Sequence, residues 1–160
     1  MEDEIRCAVE LRQEDGSPGR LTGTLLNYGE RASDRPEVFE DGALRWPDNG
    51  IVLRRQHNRG QPIMRVIPEV RAGAVVLDSP LPDTAAGRDA AREIRDGLFG
   101  GLSVEFRATG QMFVGGVRRI RAALLNGAGL VDTPSYAGSR VEVRSRANAI
   151  GHIEGRRLWL

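Results

Sequence analysis

The sequence predicts an α+β protein that is mainly β, with a small closed or curved β-barrel and one or two flanking helices. Short segments rich in strand-forming residues outnumber the helical segments, and glycine and proline mark most of the hairpin-like connections between them. Only one segment has the alanine content and the spacing of a long helix. This balance favours a closed or strongly curved sheet with packed helices.

The length of 160 residues is typical of one domain and suffices for an ordinary hydrophobic core. We expect a single domain over residues 1–146 and a C-terminal tail over residues 147–160. The tail ends in the apolar Leu158-Trp159-Leu160. Such an end is expected to dock on its own domain or on a neighbouring subunit.

The N-terminal half contains five strand-like segments. They lie at residues 5–11, 21–28, 51–53, 63–70 and 74–77. The first two flank the turn-forming residues 16–19 and predict an antiparallel pair. Residues 29–50 are polar and interrupted by Pro36 and Pro47, so we expect an irregular surface excursion with one short helical turn.

The clearest helix runs from Thr84 to Asp96. Thr84 is a suitable N-cap, the alanines that follow favour helix, and Ala90 and Ile94 recur at a spacing of four. Gly97 is a typical residue just beyond a helix end.

The C-terminal half returns to strands. Residues 102–108 alternate in polarity, Gly115-Gly116 predicts a hairpin turn before residues 117–124, and residues 140–144 alternate again. Between them, Leu130-Val131 precedes a turn at Thr133-Pro134.

Composition argues against several classes of function. The 23 basic and 22 acidic residues give a net charge of +1, too little to attract nucleic acid or an anionic membrane. Cys7 is the only cysteine, so neither an intrachain disulfide nor a thiol-rich metal cluster is expected. There is no apolar run of about 18 residues, and the chain begins with the acidic Met1-Glu2-Asp3-Glu4. We therefore expect a soluble cytoplasmic protein without a cofactor.

Ser103 and His57 are the candidate catalytic residues. Serine is a weak nucleophile unless a base removes its proton, and imidazole is the usual base at neutral pH. On a strand, Ser103 and Glu105 share one face, while Leu102, Val104 and Phe106 face the core.

Each of these observations also has a purely structural interpretation. Gly100-Gly101 permits the close backbone approach that a bound peptide or an oxyanion requires, but also a tight turn between helix and strand. A lone histidine such as His57 is more often a surface or hydrogen-bonded structural residue than a catalytic base. The number of residues between His57 and Ser103 does not decide between these interpretations, because a catalytic triad is defined by its geometry and not by sequence spacing.

At these residues the chain resembles the prohead (procapsid maturation) serine proteases of tailed bacteriophages and gene transfer agents, which are distant relatives of herpesvirus assemblin. The resemblance covers about residues 20–145. It is carried by residues 23–30, 37–39, 42–44, the strand ending at His57, residues 81–89, Gly97, residues 101–106 and residues 130–136.

The resemblance implies a serine endopeptidase with a small β-barrel flanked by helices. Ser103 would be the nucleophile and His57 its general base, and we assign the backbone of Gly101 and Val104 to the oxyanion or substrate-binding site. The implied partners are the major capsid protein and scaffold segments. We also expect a homo-oligomer and, from the composition, neither a membrane nor a specific nucleic acid as partner. The implied location is the immature head, or procapsid, in the host bacterial cytoplasm.

One position departs from the family pattern. The family commonly carries a glutamate that orients the histidine, and the aligned residue here is Gly127. Asp132 is the first candidate replacement, if the turn at Pro134 redirects it, and Glu105 is the alternative because it shares the face of Ser103. Both could instead be solvated surface carboxylates.

The missing acid also favours a second hypothesis, a catalytically inactive structural protein of the virion, such as a capsid or tail-tube component. A third hypothesis is a nucleic-acid-binding face made by Arg118, Arg119 and Arg121. Few aromatic residues are present to stack on bases, which argues against it.

Overall fold

The computed structural model describes residues 17–144, which form ten strands and one helix. The strands are β1 (Arg20–Asn27), β2 (Glu37–Phe39), β3 (Leu44–Arg45), β4 (Ile51–Arg55), β5 (Pro62–Val66), β6 (Glu69–Arg71), β7 (Ala74–Pro80), β8 (Gly101–Val114), β9 (Val117–Val131) and β10 (Arg140–Arg144), and the helix is α1 (Ala85–Arg95). The strand predicted at residues 5–11, Cys7 and the tail at 147–160 lie outside the described residues.

Strand β9 organises the larger sheet. One edge pairs antiparallel with β8 along nearly its full length. The other edge pairs parallel with β2, β3 and β4 in succession, and β5 then pairs antiparallel with β4. Consequently β4, β9 and β8 lie side by side near the C-terminal end of β9.

The smaller sheet has the strand order β10-β1-β7-β6 and is antiparallel throughout. Buried leucines from both sheets form the core, among them Leu21 and Leu77 from the smaller sheet and Leu53 and Leu102 from the larger. The rings of Phe39 and Phe106 meet edge to face, with centroids 4.8 Å apart. This arrangement fixes the inner face of β8 against the core.

Helix α1 begins and ends as predicted. The Thr84 hydroxyl oxygen accepts a hydrogen bond from the Gly87 N–H at 3.0 Å, and Asp96 is the C-cap. Ala90 and Ile94 are buried on the inner face, and the helix packs against β10 and β5.

The prediction of a mainly β protein of the α+β class is confirmed for the described residues. A closed barrel is not found there, because residues 17–144 form two open sheets. The predicted excursion at residues 29–50 contains β2 and β3 instead of a helical turn, since the buried Val38, Phe39 and Leu44 join the core beside β9. The strand predicted at 63–70 is divided between the two sheets, with a break at Ile67-Pro68 where proline offers no N–H.

Ser139 links the start of β8 to the smaller sheet. Its hydroxyl oxygen accepts a hydrogen bond from the Leu102 N–H at 2.8 Å, and its proton lies within reach of the carbonyls of Leu102 and Thr24, at 2.9 and 2.8 Å. Ser139 is 2% exposed, so water cannot easily replace these bonds. The serine therefore satisfies backbone groups on the edge of β8 that faces away from β9.

We expect Ser139→Ala to lower the free energy of unfolding by about 1–3 kcal/mol, because it leaves buried backbone groups without partners. Urea unfolding followed by circular dichroism measures the change. Ser79→Ala is the matched control, since within residues 17–144 the half-buried Ser79 forms one side-chain hydrogen bond, at 3.3 Å to the neighbouring Pro80 carbonyl. Equal stabilities for the two variants would contradict this role of Ser139.

Candidate active site

Two rows of residues cross β4, β9 and β8 where these strands lie side by side. One row is Arg54, Gly129 and Ser103, and the other is Val52, Gly127 and Glu105. Positions two apart on a strand point to the same face, so both rows lie on one face of the sheet. Between the rows, Leu53 and Ala128 are buried in the core and Val104 packs partly buried against it. The expected pairing of Ser103 and Glu105 on one face is therefore found.

A β-bulge lies beside these rows. Glu105 pairs with Gly127 but Phe106 pairs with Leu125, so Asn126 is an extra residue on β9. The bulge allows Leu125 and Ala128, three positions apart, both to be buried while Asn126 is exposed. Just after the bulge, the residues of β9 that face Glu105 and Ser103 are the glycines Gly127 and Gly129, so β9 contributes no side chain to this part of the outer face.

His57 reaches the two rows from the turn after β4. Gln56 and His57 have φ angles of 50° and 59°, a left-handed conformation that costs a non-glycine residue about 1–3 kcal/mol. The turn is held by hydrogen bonds from the Gln56 N–H to the Leu130 carbonyl and from the Asn58 N–H to the Arg55 carbonyl, both 2.9 Å long. This conformation directs the imidazole back over β9.

The imidazole ring of His57 lies directly over Gly129. A Cβ atom at position 129 would come within 2.6–2.8 Å of three ring atoms, closer than packed atoms approach. Ser103 is the partner of Gly129 across the β8–β9 ladder, so its side chain projects from the same face, one strand away from the residue that the ring covers. Among the described residues no hydrogen bond joins the Ser103 hydroxyl to His57. Catalytic hydrogen bonds are often long without substrate and shorten when it binds.

The Glu105 carboxylate contacts two partners. Its Oε2 lies 2.7 Å from His57 Nδ1, and its Oε1 accepts a hydrogen bond from Arg54 Nη1 at 2.9 Å. The carboxylate occupies space that a side chain at Gly127 would need, since a Cβ there would overlap Glu105 Oε1. A carboxylate at Nδ1 selects the tautomer with its proton on Nδ1, which leaves Nε2 free to accept a proton.

The residues of this group are neither fully buried nor fully exposed. The exposed side-chain fraction is 16% for Arg54, 25% for Glu105 and 38% for His57. Partial burial strengthens the Arg54–Glu105 ion pair and the His57–Glu105 hydrogen bond relative to the same contacts at a fully exposed surface. The imidazole nevertheless stays accessible to a molecule arriving from solvent.

The other candidate positions have different surroundings. Asp132 is exposed just beyond the end of β9, and its carboxylate forms no hydrogen bond or ion pair within residues 17–144. Gly101 pairs with Val131, and Pro134 occupies the space where its Cβ would lie. The Leu102 N–H bonds to Ser139 on the edge of β8 that faces away from β9. Since backbone N–H groups alternate between the two edges of a strand, the Val104 N–H points to that same edge and the Gly101 N–H points toward β9.

The three arginines of the nucleic-acid hypothesis are paired with acidic residues. Arg118 binds Glu37 at 2.9 Å, and Arg119 and Arg121 bind Glu40 at 2.9 and 3.5 Å. The hydrogen bond from Arg119 lowers the pKa of Glu40, as expected for an ion pair. These contacts reduce the positive charge available to phosphates.

A groove of about 290 Å³ lies between α1 and the turn after β4. It is lined by Arg55, Gly60, Gln61, Pro62, Ile63, Ala86, Asp89, Ala90 and Glu93. Arg55 forms an ion pair with Glu93, and its guanidinium lies 5.6 Å from the centre of the Phe99 ring. Arg54 and Arg55 point to opposite faces of the sheet, so the groove is separated from the group around His57.

Within residues 17–144, no three histidine, cysteine or acidic side chains are grouped closely enough to hold a metal ion. The helix in this part of the chain is too short and too polar to cross a membrane. Comparison of the chain with protein families, curated proteins and solved structures found no match.

The sequence alone did not indicate the importance of Arg54 and Gly129. Arg54 lies three residues before His57, but nothing in the sequence indicates that it meets a glutamate 51 residues later. Gly129 could have been recognised as one of two glycines at alternate positions of a strand. Strand glycines often mark a close approach by another group.

We expect Gly129→Ala to displace the His57 ring, because the new methyl group would overlap it. The measurement is the NMR spectrum of ¹⁵N-histidine-labelled protein in a His152→Gln background, which leaves His57 as the only histidine. Gly110→Ala, also in the β8–β9 ladder, is the matched control, since its Cβ would make only an ordinary contact at 3.5 Å. Unchanged His57 signals in Gly129→Ala would show that the ring lies elsewhere.

Proposed function

We propose that this chain is a serine endopeptidase of the prohead protease type, with Ser103 as nucleophile, His57 as general base and Glu105 as the orienting acid. One observation carries the proposal: His57 Nδ1 lies 2.7 Å from the Glu105 carboxylate while its ring covers Gly129, the strand partner of Ser103. A histidine held by a carboxylate on one nitrogen, with a serine beside it, is the arrangement that activates a hydroxyl.

In the proposed reaction, Ser103 Oγ attacks the carbonyl carbon of the scissile peptide bond. His57 Nε2 takes the hydroxyl proton and then gives it to the leaving amine, so that an acyl-enzyme and a free amine result. In the second half, water attacks the ester while His57 Nε2 takes its proton; the bond from the acyl carbon to Ser103 Oγ then breaks, the proton passes to Ser103 Oγ, and the carboxylic acid product is released. Glu105 stabilises the imidazolium that forms in each half and keeps Nε2 directed toward the serine.

The backbone of β8 supports a site for the developing oxyanion. Strand alternation turns the Val104 N–H to the edge of β8 opposite β9, next to Ser103, and within residues 17–144 no other strand pairs with β8. An N–H on the residue after the nucleophile is well placed to donate to an oxyanion. The N–H of Gly101 is a weaker candidate, because that residue faces the ladder with β9.

The position of Glu105 accounts for the glycine at position 127. Glu105 and Gly127 face each other across the ladder, and such partners have Cβ atoms about 4.5–5.5 Å apart. A carboxylate from either strand can therefore reach a histidine lying over both. We assign the acid to Glu105 rather than to Asp132, which is exposed beyond β9.

The proposal extends to the substrates and setting that the resemblance implies. These are the scaffold and the extensions of the major capsid protein, cleaved inside the procapsid in the bacterial cytoplasm by a homo-oligomeric enzyme. The finer fold assignment, a barrel like that of herpesvirus proteases, is part of the same proposal. An exposed imidazole over the outer face of the sheet suits a polypeptide substrate, because such a substrate needs access to the site from solvent.

A second candidate function is a structural virion protein that keeps this fold without catalysis. The observation that favours it is the apolar tip of the β8–β9 hairpin, where Phe113 and Val114 are 66% and 51% exposed. Exposed apolar residues on a projecting hairpin suit an assembly contact. The same hairpin is compatible with an oligomeric enzyme.

The chain co-expressed with its major capsid protein should shorten that protein, and Ser103→Ala should abolish the cleavage because no nucleophile remains. Intact mass spectrometry measures the products, and Ser79→Ala serves as the control. Cleavage that persists in Ser103→Ala would refute the serine assignment. No cleavage by any variant would favour the structural role.

We expect Glu105→Gln to lower kcat/KM on the order of 10⁴-fold, because an amide no longer selects the reactive tautomer or stabilises the imidazolium. Asp132→Asn should leave kcat/KM within about twofold, as a surface substitution does. Rates are measured on a peptide that spans the cleavage site. A large loss for Asp132→Asn with little for Glu105→Gln would assign the acid to Asp132 instead.

A further inference from the structure

We propose that Arg54 is a positioning residue that holds the Glu105 carboxylate in the orientation that His57 needs. The inference rests on the proposed function and adds a fourth residue to the site. Arg54 Nη1 donates to Glu105 Oε1 at 2.9 Å, while the other carboxylate oxygen faces His57 Nδ1. Arg54 is also the least exposed of the three side chains.

Glu105 needs such a partner because glutamate is long and has several rotatable bonds. Fixing a glutamate side chain costs rotamer entropy, and at 25% exposure water competes for its oxygens. One hydrogen bond to His57 would leave the plane of the carboxylate free to rotate. A second bond to the opposite oxygen fixes that plane, and the rigid guanidinium is well suited to supply it.

Arg54 is itself fixed by the sheet. It lies on β4 in the row with Gly129 and Ser103, so its backbone moves with the strand that leads into the His57 turn. Its guanidinium passes over Gly127, where a Cβ would come within 2.7 Å of Nη1. A glycine at position 127 thus provides space for both Arg54 and Glu105.

The positive charge of Arg54 has a second effect, opposite in sign to positioning. A cation near His57 disfavours the imidazolium that forms during proton transfer, so removing it would by itself speed the reaction. Solvent screens this repulsion at the exposures of Glu105 and His57. A misplacement of about 1 Å costs about 100-fold in rate, so positioning outweighs charge.

The test compares Arg54→Gln with Arg54→Lys. Lysine keeps a positively charged hydrogen-bond donor but lacks the rigid, planar set of N–H groups of the guanidinium. The control is Arg71→Gln, since Arg71 binds Glu69 and Asp78 in the smaller sheet. All variants carry His152→Gln and ¹⁵N-histidine, and NMR follows the Nδ1 proton of His57. If Arg54→Gln fails to fold, Arg54→Met of similar length replaces it.

We expect Arg54→Gln to broaden or shift the Nδ1 proton signal and to lower kcat about 10–100-fold with KM within about twofold. Arg54→Lys should recover part of the Nδ1 proton signal and part of kcat, and Arg71→Gln should change neither the signal nor kcat. An unchanged signal and rate in Arg54→Gln, or a faster rate, would overturn the positioning role. A perturbed signal in a protein that cleaves nothing would support the positioning and refute the proposed function.

Discussion

The backbone ladder of β9 is the interaction on which the rest of the structure depends. It joins β8 on one edge to β2, β3 and β4 on the other, and so brings together segments from both halves of the chain. The row that contains Ser103 exists only because β4 and β8 both pair with β9 at Gly129. A one-residue shift of either strand would turn its side chains to the opposite face.

Two glutamates in this sheet are held by arginine, with different consequences. Glu37 is 2% exposed and is bound by Arg35, Arg118 and the Tyr136 hydroxyl, so its binding capacity is used within the fold. Burial, together with the nearby Glu37, raises the pKa of Tyr136 and keeps its hydroxyl a proton donor. Glu105 has one arginine and remains partly exposed, so its second oxygen is available to His57.

Local chemistry in the sequence predicted many of the elements. The limits of α1, the hairpin at Gly115-Gly116 and the shared face of Ser103 and Glu105 follow from capping, turn preference and strand alternation. The parallel pairing of β2 and β3 with β9 depends on contacts about 80 residues apart, which no local pattern encodes. The contact between Arg54 and Glu105 was missed for the same reason, since it depends on the register of three strands. Asn126 also makes simple alternation along β9 misleading.

The pairing of Glu105 with Gly127 across the β8–β9 ladder has a consequence for how sequences with this fold can change in evolution. Two substitutions on paired strands can move a functional group from one backbone to its neighbour while its position in space is preserved. A homologue that lacks an acidic residue at one aligned position can therefore keep the carboxylate, provided that the residue paired with it on the neighbouring strand is acidic. Pairs of columns, rather than single columns, are the units in which loss or retention of such a group is decided.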